Sequence, residues 1–349
     1  MLGALVLGFF LVPASRDPES TPLDIKGAAT SMVAISAFVY GIIEGPPYGW
    51  ASGRVLTAFA VTLVFGLTFV LLERRNEHPM LNLEYFKNRR FSGGATAISL
   101  AFFSLFGVIF LLTQYLQFVQ GYSALEAGLR TAPFALGMVL GASTAPRLVE
   151  RFGTTKVVTF GLLVLAGVLV AFTTFGVDTE YWIIGVAIVG MSYGMGNVMA
   201  PSTDAVMGAV PVAKAGVASA TNDVTRQVAG AIGVAVVGSA FNSAYTANMA
   251  TAVAQLPAEA AAAASNSIGA ASRIAANLPG PAANALLGTA QQAFVDAMGV
   301  AIYFAVAIVL IGAVLVALFM PAEHLAEASE EEPGTGLLPG QPAPSPAKA

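Results

Sequence analysis

The sequence predicts an all-α integral membrane protein. Three observations carry that prediction. Only 10% of the 349 residues are charged and 56% are hydrophobic, whereas soluble chains are about a quarter charged. The mean hydropathy is +0.74. The apolar residues also fall into eight runs of roughly the 20 residues that a helix needs to cross a bilayer core about 30 Å thick.

The runs are Gly27–Ile43, Val55–Leu72, Ala95–Val119, Thr131–Leu148, Val157–Phe175, Trp182–Val206, Ala218–Phe241 and Val300–Met320. They are too long and too uniformly apolar for the alternating strands of a barrel. Helix satisfies every backbone group within the lipid. The opening "MLGALVLGFFLVP" is apolar for only about a dozen residues, too few to span. "VPAS" before Arg16 resembles a cleavage site, but a signal peptide needs a positive n-region that is absent here. The expectation is the end of a helix, over residues 1–16.

Composition excludes several function classes. The net charge is −4, and no basic arm or aromatic–basic stripe is present, which sets nucleic-acid binding aside. With no Cys, disulfides and thiolate metal sites are absent. The two His, His78 and His324, lie outside the runs, so no metal or cofactor is expected. An intramembrane enzyme lacks its Ser–His, paired-carboxylate or metal-ligand set.

Basic residues set the expected orientation, because short Lys/Arg-rich loops stay cytoplasmic. Arg16, Lys26, Arg74, Arg75, Lys87, Arg89, Arg90, Arg147, Arg151, Lys156 and Lys214 fall on one side, against Arg54, Arg130 and Arg273 on the other. The first set is predicted to be inside, with the C-terminus.

"RLVERFGTTK", Arg147–Lys156, is unusually charged for this chain. As a topological anchor it is a cytoplasmic turn. It also resembles the loop signature of the major facilitator superfamily, Gly-x-x-x-Asp-Arg-x-Gly-Arg-Arg/Lys. Glu150 takes the place of the acid, Arg151 of the base and Gly153 of the second Gly. Pro146 replaces the leading Gly, Thr154 and Thr155 replace the closing bases, and Lys156 follows one place late. "RQVAGAIGVAVVGS" (226–239) resembles the fifth helix of the second half in the fourteen-helix EmrB/QacA-type drug:proton antiporters. "IIEGPPYGW" (42–50), "ERRNEHPMLNLEYFKNRRF" (73–91) and "QGYSALEAGL" (120–129) resemble, in order, their central outer turn, their cytoplasmic linker and the outer turn that opens the second half.

The resemblance implies a domain plan. Residues 1–16 end the last helix of a missing N-terminal half. Residues 17–90 are a central helix pair with its linker. Residues 91–320 are a six-helix bundle of two inverted triplets, with an outer loop at 242–294, and residues 321–349 are a disordered cytoplasmic tail. Ala content favours helix in the outer loop, broken at Pro257, Pro279 and Pro281. The acidic, then Pro-rich, composition marks the tail. The implied function is proton-coupled efflux of amphipathic compounds, with lipid, a small substrate, protons and a separate N-terminal half as candidate partners. The alternative is a non-transporting membrane protein or a remnant half.

Two residue sets are candidates. Arg147, Glu150, Arg151, Gly153 and Lys156 form an expected cytoplasmic gate loop, with Glu150 accepting from a nearby base. Polar residues inside spans are costly in lipid and face a cavity or a partner. Gln114 and Gln117, three apart on one helical face, read as cavity lining. Asn197, Asp204, Asn222, Asp223 and Arg226 read as cavity, charge-pair or helix-to-helix contacts, with Asp223 and Arg226 spaced to pair. Small residues every fourth position (Gly137/Gly141/Ala145, Gly190/Gly194, Ala231/Ala235/Ser239) are candidate close-contact faces.

Overall fold

The computed structural model describes residues 24–76, 84–211, 215–254 and 256–321. The expectations for residues 1–16 and for the tail beyond Pro321, and both His, lie outside the described residues. Eight of the described helices are long and apolar enough to cross a membrane. The elements are α1 (Ile25–Tyr48), α2 (Gly53–Arg75), α3 (Arg89–Gln114, continued by a π-turn at Tyr115–Val119), α4 (Ala124–Arg130), α5 (Pro133–Phe152), α6 (Thr154–Phe172), α7 (Tyr181–Gly208), α8 (Ala215–Met249), α9 (Ala258–Asn266), α10 (Ile268–Ala275) and α11 (Gly280–Phe319).

Local chemistry sets the ends. The Asp24 carboxylate accepts from the Gly27 amide at 2.8 Å and caps α1. Asn88 does the same for α3. Ser123 and Glu126 form a reciprocal capping box at the start of α4, which satisfies two of the amides that a helix N-terminus leaves open. Pro257 and Pro279 stand at the N-caps of α9 and α11, so the chain breaks where a missing N–H costs least.

α1 and α2 form a hairpin that leans on α8 through α1. In the bundle, α7 packs between α5 and α6, and α11 packs on α3, α6 and α8. Buried hydroxyls tie these layers: Ser104 donates to the Ala305 carbonyl at 3.1 Å, and Ser239 donates to the Ile42 carbonyl at 3.0 Å. Glycine allows the closest approaches. A β-carbon on Gly137 would fall 2.2 Å from the Val189 carbonyl oxygen, and one on Gly141 would fall 2.4 Å from that of Tyr193. Gly161 and Gly194 oppose each other in the same way between α6 and α7. The stripe expected on α8 is corrected at one member. Ala231 is exposed, and the contact is made by Gly233.

The edges of the apolar runs shift. α11 has 40 residues, about 60 Å at 1.5 Å per residue, roughly twice the hydrocarbon thickness. It starts twenty positions before Val300, and α8 runs on to Met249. Segment 242–294 is therefore mostly helical: the ends of α8 and α11 carry α9 and α10. Its interior continues the bundle core, with Tyr245, Ala264, Ala271 and Phe294 fully buried. The Phe241 ring stacks on Tyr245 at 5.7 Å and meets Phe294 at 4.7 Å.

Chain direction places Lys26, Arg74, Arg75, Lys87, Arg89, Arg90, Arg147, Arg151 and Lys156 at one end, the basic end, and Arg54, Arg130 and Arg273 at the other.

Candidate functional site

At the basic end, a single residue joins α5 to α6. Gly153 has φ +83°, accepts α6's first bond from Val157 and donates to the Val149 carbonyl at 2.8 Å. That backbone conformation suits glycine and strains other residues. Arg147, Glu150, Arg151 and Lys156 are exposed around it. The Arg151 guanidinium lies 5.2 Å from the Phe152 ring centre. The expected acceptor role of Glu150 is not seen: no ion pair involves it among the described residues.

Buried beside that turn is a contact the sequence did not disclose. The Thr155 hydroxyl lies 2.7 Å from the Pro321 carbonyl and 3.2 Å from that of Met320. Thr154 is buried with it. Of the two threonines that stand where the superfamily signature has bases, Thr155 thus docks the turn onto the end of α11. Their departure from the signature was the available clue.

Within the bundle, the polar candidates separate. Asp223 and Arg226 do pair on α8, and the Arg226 guanidinium lies 5.4 Å from the Phe102 ring centre on α3. Asp204 is exposed on α7 and does not join them. Asn222 is buried with its amide oxygen unpartnered. Asn197 is fully buried and donates to its own helix at the Tyr193 carbonyl, 3.0 Å away. Its surroundings on α6, where Gly161 lies against it, make it part of the α6–α7 contact rather than of a cavity.

Gln114 lines a cavity of about 280 Å³ with Ile43, Phe110, Phe241 and Asn242. Gln117 does not line it. The cause is the π-turn that begins at Tyr115, where Gln120 donates to the Tyr115 carbonyl five residues back. The wider turn breaks the i, i+3 phase that would have aligned the two glutamines. Gln120 carries the polar contact instead: its amide reaches the Tyr115 hydroxyl at 3.0 Å and the Val177 and Thr179 carbonyls. Tyr115 in turn donates to Gly176 at 2.7 Å. Gln291 of α11 donates to the Phe118 carbonyl in the last turn of that segment, where helix carbonyls lack an intrahelical partner. Nearby, Arg130 sits 3.8 Å from the Tyr122 ring centre and 5.0 Å from that of Tyr181. The end opposite the basic one thus carries two polar sets, one around Gln120 and Tyr115 and one around Arg130.

A second cavity, about 380 Å³, opens between the α1–α2 hairpin and α3/α8. Ser31, Phe69, Ser99, Thr221 and Val224 line it. Its size falls in the usual range for small-molecule sites of about 300–1,000 Å³. An apolar crevice with a few hydroxyls suits an amphipathic guest. Among the described residues no group of His, Cys, Asp and Glu forms a metal site.

The family model of the Major Facilitator Superfamily matches residues 1–234. The chain belongs to that superfamily. It is a multi-pass membrane protein of a transporter family, not an enzyme. It is 32% identical over 316 residues, 90% of its length, to the multidrug efflux pump LfrA of Mycolicibacterium smegmatis, and covers 62% of that protein. It is 31% identical over 341 residues, 95% of its length, to the tetracenomycin C resistance and export protein of Streptomyces glaucescens, covering 63% of it. It is 32% identical over 241 residues, 68% of its length, to the multidrug resistance protein Stp of Mycobacterium tuberculosis, covering 44%. The chain therefore spans less than two thirds of each of these relatives.

Proposed function

We propose that the chain works as the larger part of a fourteen-helix drug:proton antiporter that exports amphipathic compounds by alternating access. The observation that carries this reading is identity of about a third, over nine tenths of the chain, to a named multidrug efflux pump. The geometry is compatible with it. A bundle whose helices meet closely through glycine and Ala faces packs as one body, which is what rocking against a second bundle requires. α1 and α2 are then the central hairpin, and the basic end is cytoplasmic. In this reading the α5–α6 turn is a gate, and Glu150 finds its base in the conformation closed at that end. An N-terminal half supplies the facing bundle, and the crevice lined by Thr221 and Phe69 admits substrate. The test is efflux of an amphipathic fluorescent cation from vesicles carrying the chain together with such a half. Efflux that an uncoupler abolishes supports the reading, and efflux indifferent to the uncoupler overturns proton coupling.

A further inference from the structure

The bond from Thr155 to the Pro321 carbonyl fixes where the chain leaves the bundle: beside the α5–α6 turn, one residue from exposed Lys156. Arg147 and Arg151, one helical turn apart on α5, are exposed on the same turn. Among the described residues none of these three bases forms an ion pair. Three exposed cations without an ion pair among the described residues, with Glu150 between them in sequence, therefore lie near the exit of the chain. The sequence that follows Pro321 is acidic: Glu323, Glu327, Glu330, Glu331 and Glu332 fall within eleven residues, with no Lys or Arg among them.

We propose that this acidic segment, 323–332, docks on the basic surface formed by Arg147, Arg151 and Lys156, as an ionic strap that ties the last helix to the α5–α6 turn. Three physical features favour it. The carboxyl end of a helix carries partial negative charge, so the end of α11 repels the glutamates that follow it. The reach is ample. Six residues separate Glu327 from Pro321, about 20 Å at the extended 3.3–3.6 Å per residue, whereas Arg147 lies only about 9 Å along the α5 axis from Gly153. Finally, attachment at Pro321 makes the encounter intramolecular, so weak pairs act at high effective concentration. The strap does not depend on transport or on the orientation of the chain.

The chain has no Cys, so cross-linking can be read cleanly in the purified full chain. One variant carries Phe152→Cys and Ser329→Cys, placing one thiol on the exposed turn and the other in the acidic segment. A comparison variant carries Gly216→Cys and Ser329→Cys. Gly216 is exposed at the basic end on α8, which packs on α1, α3 and α11 rather than on α6. In neutral detergent at low salt, a short bismaleimide should join the first pair about tenfold faster than the second, the sense expected of a raised effective concentration. The advantage should vanish near 1 M salt, where the screening length falls to about 3 Å. It should vanish too when Glu327, Glu330, Glu331 and Glu332 all become Gln. Equal rates for the two pairs would overturn the proposal. So would an advantage that survives both salt and neutralisation, because the contact would then not be ionic. Repeating the experiment in vesicles of anionic lipid gives the last outcome: an advantage lost there means that headgroups, not the segment, cover the bases, and that also overturns it.

Discussion

Gly233 of α8 and Phe103 of α3 meet backbone to backbone: a β-carbon at Gly233 would fall 2.0 Å from the Phe103 carbonyl oxygen. No flexible side chain stands in that contact, so nothing can step aside. Overpacking a fitted contact costs roughly 1–3 kcal/mol, and a backbone clash belongs at the upper end. Gly233→Val should lower the thermal unfolding temperature in detergent by several degrees. Ala231→Val, on the exposed side of the same helix, should leave it unchanged. Equal effects would mean that α8 presents a different face to α3.

A second prediction concerns the bonds at the end of α11. Thr155→Val keeps the shape of the side chain but removes the donor to the buried Met320 carbonyl and the half-buried Pro321 carbonyl. One such bond is worth about 0.5–1.5 kcal/mol. Thr155→Val should destabilise the detergent-solubilised chain by about that amount and expose the peptide after Phe319 to limited proteolysis. Thr155→Ser should behave like the parent, and no difference between the two would remove the docking role.

What the sequence disclosed, and what it withheld, follows from these contacts. All eight crossing helices were legible because lipid demands an unbroken apolar run, and the runs stand plainly between charged turns. The first half of α11 was not legible as part of the last span, since Gln291, Gln292 and Asp296 dilute its hydropathy. The i, i+3 alignment of Gln114 with Gln117 assumed a regular helix, and no residue type announces the π-turn that breaks it. Spacing selected Ala231 instead of Gly233 because four-residue repeats of small residues are common in a chain with 36 Gly. Thr155 was hidden for a different reason. Its acceptors lie 165 and 166 residues away, and a single hydroxyl leaves no periodic trace. The Asp223–Arg226 pair, by contrast, was readable because both partners sit within one helical turn.

The proposed orientation is open to direct labelling. Ala264 is fully buried, so the probe belongs at Ala263, which is exposed next to it, and its counterpart at exposed Lys156. An impermeant maleimide added to intact cells should label Ala263→Cys and spare Lys156→Cys until the membrane is opened. Labelling of the second from outside would invert the topology and the positive-inside reading with it.

Completeness bears on activity. The described residues form one six-helix bundle and a hairpin, while alternating access needs two bundles around a shared site. The 349-residue chain reconstituted alone should show no uncoupler-sensitive efflux of an amphipathic cation above that of empty vesicles. Robust efflux would require two copies of the bundle to face each other, and a concentration-dependent dimer would then have to be found.

The last prediction separates a gate from an anchor at the α5–α6 turn. Gly153 holds φ +83° with ψ 156°, a region open essentially to glycine, where another residue costs on the order of 1–3 kcal/mol. Gly153→Val should therefore lower both stability and transport. Glu150 is exposed and makes no ion pair in this conformation, so Glu150→Gln should leave expression, insertion and unfolding temperature as they are. If the turn only fixes topology, the substitution is silent in every assay, because acids contribute little to the positive-inside rule. If the turn closes a two-state gate, Glu150 gains a partner in the closed state alone. An exposed pair worth up to about 1 kcal/mol then shifts that equilibrium by up to roughly fivefold. Efflux by the Glu150→Gln protein in its transporting context, normalised to its amount in the membrane, should fall by a factor of about two to five. Arg151→Ala should act in the same direction, since removing either member of a pair removes the same bias. Parent-like rates for both would leave Arg147–Lys156 as a charged anchor, with Thr155 and Gly153 acting only to fasten the bundle.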